Sequence, residues 1–105
     1  TWCYYYQKMS LAQQRRDWDQ VVALGEEAIN AGFKPIDLSE WMPLIEGYAY
    51  SGNLEKANNI IVKIYDISNL RYNLCSSVLK QKENPGLNLP AAGMGFLLDR
   101  LCSIR

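Results

Sequence analysis

The sequence contains no histidine. That removes the side chain used most often as general base and metal ligand, and with it every Ser–His or Cys–His nucleophile pair. An excess of charge of one sign is also missing, since 11 Lys and Arg balance 11 Asp and Glu. A nucleic-acid binder needs many cations gathered on one face. Here the densest basic pair, Arg15-Arg16, is followed at once by Asp17 and Asp19, so no nucleic-acid partner is expected. No run approaches the roughly 18–20 apolar residues of a membrane span, and no signal peptide is visible. This segment is therefore not expected to insert into a membrane. The chain begins at Thr1 rather than Met, which reads as a fragment of a longer protein. Cysteine is scarce. Cys3, Cys75 and Cys102 are odd in number and widely spaced, matching neither a disulfide framework nor a zinc pattern. They read as buried thiols in a reducing compartment. Alternating strand patterns and Asn-Gly hairpin turns are absent as well.

What remains is a helical pattern. The 105 residues suit one domain, and 49% hydrophobic content supplies a core for a chain of that size. Trp2, Tyr5, Met9 and Ala12 form one stripe of a first helix, from about Trp2 to Arg15. Asp17 is placed to cap a second helix that carries Val21, Val22, Leu24, Ala28 and Ile29 and closes at Gly32. After the connector Phe33-Lys34-Pro35-Ile36, Asp37 and Glu40 have capping-box spacing. A third helix then runs to about Ser51, with Trp41, Leu44, Ile45 and Tyr48 apolar and Pro43 bending its first turn. Gly52-Asn53 breaks the chain before a fourth helix bearing Leu54, Ala57, Ile60, Ile61 and Ile64. A fifth carries Leu70, Leu74, Val78 and Leu79 from Ser68 to about Asn84, where Pro85-Gly86 stops it. Pro90 opens the last helix, with Met94, Leu97, Leu98 and Leu101. Gly93 and Gly95 weaken that helix by about 1 kcal/mol each relative to Ala, so it must depend on docking.

Two segments match each other. Arg16-Asp17-Trp18-Asp19-Gln20-Val21-Val22 aligns with Gly52-Asn53-Leu54-Glu55-Lys56-Ala57-Asn58 at an offset of 36 residues, and Tyr5 with Trp41 and Ala12 with Tyr48 at the same offset. Trp41, Leu44, Tyr48, Gly52, Asn53, Leu54 and Ala57 resemble the tetratricopeptide pattern. The first copy departs from it: Arg16 stands at the turn glycine, Val21 at the small alanine and Lys8 at the leucine. The resemblance implies an all-α domain of antiparallel hairpins, about 2–31 and 37–65. With a third pair at about 68–104, they would stack as a short right-handed solenoid of about six helices. The leading helices of such a stack line its inner wall. By that analogy Tyr6, Ser10, Gln13, Met42, Glu46, Ala49 and Tyr50 would meet a protein or peptide partner; the alternative is that several of them pack against neighbouring helices. The wall lacks the Lys/Arg clamp that holds a terminal carboxylate, so no strong preference for acidic peptide tails is expected.

A narrower resemblance lies in Trp2-Cys3-Tyr4-Tyr5-Tyr6, in Asp17-Trp18-Asp19-Gln20-Val21-Val22-Ala23-Leu24-Gly25-Glu26 and in Ile45-Glu46-Gly47-Tyr48-Ala49. These runs resemble the soluble C-terminal tail of bacterial multi-pass membrane proteins similar to lipid-linked-sugar glycosyltransferases. That resemblance implies a non-catalytic appendage, tethered to a membrane through its parent protein.

The remaining candidates for chemistry read as structure. Cys75 lacks an activating neighbour. Cys102 has only Arg100 and Arg105 nearby in sequence. Asp17 and Asp19 suit a helix start better than a metal. Glu26-Glu27 is a solvated face, and Gly93-Met94-Gly95 lacks the remainder of a phosphate loop. No catalytic residue, metal or cofactor is expected. The function expected is a protein–protein interaction or scaffold domain, with self-association through an under-capped end as the alternative.

Overall fold

The computed structural model describes residues 1–84, 86 and 88–102. The expected breaker Pro85, part of the expected following loop at Leu87, and the expected end of the third pair at residues 103–104 lie outside that set. Among the described residues the architecture is all-α, as expected. The helices are α1 (Trp2–Gln14), α2 (Trp18–Asn30), a 3₁₀ turn (Leu38–Trp41), α3 (Met42–Tyr50), α4 (Leu54–Ile64), α5 (Ser68–Lys82) and α6 (Ala91–Cys102). None is long and apolar enough to cross a membrane.

The two matched segments fold alike. Asp17 caps α2 by accepting from Gln20 N at 3.2 Å, and Asn53 caps α4 by accepting from Lys56 N at 3.2 Å. The turns before them close in the same way. Asp17 N donates to Ala12 O at 2.9 Å, and Asn53 N to Tyr48 O at 2.8 Å. In both, the residue preceding the cap is left-handed: Arg16 with φ 55° and Gly52 with φ 93°. Arg16, expected as a departure from the repeat, thus adopts the glycine's backbone conformation at a steric cost.

The third helix differs from its expectation. Pro43 does not bend it; the chain forms the 3₁₀ turn first, and α3 starts at Met42 with Pro43 in its opening turn. There the missing N–H costs nothing. Asp37 caps the 3₁₀ turn through Ser39 N and Oγ. Glu40 does not complete a capping box; its carboxylate accepts from Trp2 Nε1 at 3.0 Å, tying α1 to this turn.

All nine residues of α3 are buried, whereas the other helices bury one face. The packing of its neighbours explains this. α1, α2, α4 and α6 all touch α3. Missing side chains let α2 and α3 approach closely: a Cβ on Gly25 would lie 2.5 Å from Leu44 Cδ1, and one on Gly47 2.9 Å from Val21 Cγ1. The core they share includes Met9, Val21, Ala28, Leu44, Ile45, Ala57, Ile61, Ile64 and Leu97. Each fully buried aliphatic side chain of this kind stabilises by roughly 1.5–3 kcal/mol before chain entropy is counted.

The third helix pair does not repeat the arrangement of the first two. Between the matched hairpins, α1 and α2 both pack on α3. In the next step it is α6, not α5, that provides the main packing on α3 and α4, and α5 lies chiefly against α6. Gly93 makes this possible, because a Cβ there would lie 2.6 Å from the Ala49 carbonyl oxygen. Gly93 therefore serves close approach as well as weakening its helix.

Cys75 and Cys102 form a disulfide between α5 and α6, with their Cα atoms 5.0 Å apart. This corrects the reading of these two as unpaired thiols; the bond joins positions 27 apart in sequence. A loop of that length is stabilised by about 3–4 kcal/mol on the chain-entropy account. Cys3 is exposed rather than buried, and free.

Candidate interaction surfaces

Four of the seven residues expected on an open inner wall are buried: Met42, Glu46, Ala49 and Tyr50. Tyr6, Ser10 and Gln13 are half-buried. The reason is the chain's own third pair. α6 presses on Ala49 and Tyr50 through Gly93, and α5 reaches Glu46 and Tyr50 through Gln81.

Among the described residues, Glu46 is the only charged residue that is buried, with 0% exposure. Gln13 Nε2 of α1 donates to one carboxylate oxygen and Gln81 Nε2 of α5 to the other. The Tyr50 hydroxyl donates to Gln81 Oε1 at 2.9 Å, which fixes the amide's orientation. Burial pushes the Glu46 carboxyl up from its ordinary range, and the two amide donors pull the other way. With both oxygens taken, this carboxylate joins three helices. The structure brings together Gln13, Glu46 and Tyr50 from the expected set; Tyr6, Ser10 and Met42 make no side-chain hydrogen bond with them.

Gln81 was not legible in the sequence as part of this cluster. A glutamine near the end of a mixed helix carries no signal of its own. Beside it, Gln13, Gln14, Arg16, Trp18, Gln81 and Leu89 line a shallow cavity of about 190 Å³.

A second polar node lies on the opposite side of α3. The Tyr48 hydroxyl donates to Glu26 Oε2 at 2.8 Å, and Lys56 Nζ pairs with the same oxygen at 3.1 Å. The Tyr48 hydroxyl, then the Lys56 ammonium, holds the Glu26 carboxyl below its ordinary pKa. Glu26 is thus a link between α2, α3 and α4 rather than simply a solvated face.

A larger opening lies elsewhere. A cleft of about 700 Å³ lies between the start of α1 and the α2-to-3₁₀ connector, and Trp2, Cys3, Phe33, Pro35 and Ile36 give it an apolar lining. Lys34, Asp37 and Glu40 stand at it as well. Ile36 is 100% exposed, and Phe33 is exposed while touching Tyr5, ring centroids 6.0 Å apart. Trp2 is anchored below by Trp41 at 5.4 Å and by Glu40. The signal for this site was present as Phe33-Lys34-Pro35-Ile36, three apolar residues in a connector, where polar residues are the norm.

No protein-family model matches the sequence, and neither the curated proteins nor the solved structures gave a significant match.

Proposed function

We propose that this domain is a protein–protein interaction or scaffold module without catalytic chemistry of its own. Its docking surface on this reading is the cleft formed by Trp2, Phe33, Pro35 and Ile36. The observation that carries the proposal is Ile36: a large aliphatic side chain, fully exposed at the mouth of an apolar cleft of about 700 Å³. Exposed apolar residues gathered at a concavity mark places where another protein segment docks. The occupant is a protein segment that presents a large aliphatic or aromatic side chain. The balanced charge of the chain favours such a partner over nucleic acid.

Two finer readings belong to the same proposal. The matched hairpins are successive turns of a tetratricopeptide-like right-handed solenoid, supported by the shared caps and left-handed turns at Arg16 and Gly52. The domain is the C-terminal appendage of a bacterial membrane protein similar to glycosyltransferases, supported by the three sequence runs given above. The Cys75–Cys102 disulfide supports an oxidising setting for it. A parent chain with no hydrophobic spans before Thr1 would remove the membrane reading.

The second reading, self-association, is favoured by exposed Val62, Tyr65, Ile67 and Tyr72 on and between α4 and α5. Light scattering separates the two: a monomer at tens of micromolar argues against self-association. The docking proposal is tested by a photocrosslinking residue at Ile36 in the parent protein, compared with one at Glu55 on α4. Adducts to one defined protein from position 36 alone are expected. Equal adducts from both positions, or none from either, contradict the proposal.

A further inference from the structure

The buried wall and the disulfide belong to one arrangement. α5 lies chiefly against α6 and meets α3 through Gln81. Of its side chains, Leu74 and Val78 are buried, and its largest partner is α6 rather than the body of the domain. Its hydrogen bonds to α3 are made by Gln81, to Glu46 and Tyr50. α6, by contrast, is seated on α3 and α4 by Leu97, Leu101 and the glycine contact at Gly93. The Cys75–Cys102 bond then fastens the thinly held α5 to the firmly held α6.

We infer that α5 is a redox-fastened cover over the α1–α3 wall, held shut by Cys75–Cys102 and opened by a dithiol reductant. The exchange balances. One thiolate of the reductant attacks a sulfur of the Cys75–Cys102 bond, and its second thiolate resolves the mixed disulfide. The reductant leaves as a cyclic or intramolecular disulfide, and Cys75 and Cys102 each end as a thiol. Two electrons pass from reductant to protein. Without the covalent tie, α5 keeps its packing on α6, with Leu74 and Val78 buried and Leu70 half-buried, but among the described residues its side-chain hydrogen bonds to α3 are those of Gln81 alone. Regions so held open locally, at free energies well below global unfolding. Lifting α5 takes Gln81 off the Glu46 carboxylate and the Tyr50 hydroxyl, on the face that the tetratricopeptide analogy assigns to partners. In the disulfide form this face is closed by the chain itself. The inference does not rest on the Ile36 cleft, and either can fail without the other.

The test is carboxyl footprinting of the whole chain with a carbodiimide and an amine, before and after treatment with dithiothreitol, with hydrogen exchange on the same samples. Asp19, exposed in both forms, is the internal reference. Reduction is expected to raise labelling of Glu46 at least 10-fold and to speed exchange in residues 68–82 at least 10-fold. Exchange in α2 and α4 should change less than 2-fold, and reoxidation should reverse both effects. Glu46 labelling that changes less than 2-fold overturns the inference. So does a uniform rise in exchange through α1 to α5, because the bond would then staple the whole fold rather than one helix.

Discussion

Arg16 and Gly52 occupy the same place in two successive hairpins and share one left-handed backbone conformation, φ 55° and φ 93°. Glycine reaches that region freely, while an L side chain pays about 1–2 kcal/mol to do so. Replacing Arg16 with Gly is therefore expected to stabilise the domain by about 0.5–1 kcal/mol, the gain being reduced by the greater freedom of glycine in the unfolded chain. The reciprocal Gly52→Ala change should destabilise it by about 1 kcal/mol. Urea unfolding of both variants checks this; opposite signs are required.

The caps that follow these turns give a second paired test. Asp17→Ala and Asn53→Ala each remove an acceptor for one backbone N–H at the start of a helix. Each should cost about 1 kcal/mol, and their effects should add in the double variant. Unfolding midpoints at constant slope measure this, and a zero effect at one site would break the equivalence of the two hairpins.

Gly93 and Gly95 lie on the same helix but face different surroundings. A Cβ at position 93 meets backbone of α3, which cannot rotate away, whereas at position 95 nothing lies within 4 Å. Gly93→Ala is expected to destabilise by about 1–3 kcal/mol through overpacking. Gly95→Ala should stabilise by about 0.5–1 kcal/mol through helix propensity. Equal effects from the two in thermal or urea unfolding would mean that α6 is not seated against Ala49.

These contrasts show how far the sequence could be read. Apolar spacing located the helices, and the offset of 36 residues between Asp17 and Asn53 located the equivalent caps, because both signals are local. The order in which helices pack is not local. Nothing in the mixed α5 sequence shows that this helix lies chiefly against α6, or that Gln81 meets a glutamate 35 positions earlier. The Cys75–Cys102 pair was missed for the same reason: spacing in sequence does not reveal distance in space. The seven-residue wall was derived from an analogy with open stacks, and it was α6 and Gln81 that closed it.

The two buried or linked glutamates should respond to pH with opposite sign. Glu46 holds its proton more tightly in the folded than in the unfolded chain, chiefly through burial. Its contribution to stability is full below the unfolded value of 4.5 and is lost as pH rises through its raised folded pKa. Glu26, lowered by Tyr48 and Lys56, contributes above 4.5 and loses that contribution as pH falls through its folded pKa. Urea unfolding between pH 3 and pH 8 should show Glu46→Gln gaining on the native sequence as pH rises. Glu26→Gln should gain on it as pH falls. A pH-independent difference for Glu46→Gln would contradict the buried, amide-held carboxylate.

α3 is a spine with all nine of its residues buried, and α5 is joined to it chiefly through α6 and Gln81. Residue-resolved hydrogen exchange on the native, disulfide-bonded chain tests it most directly. The account predicts that amides within residues 42–50 exchange slowest, at the rate set by global unfolding, and that amides within residues 68–82 exchange faster. Exchange in α3 as fast as in α5, or slower exchange in α5, would contradict it.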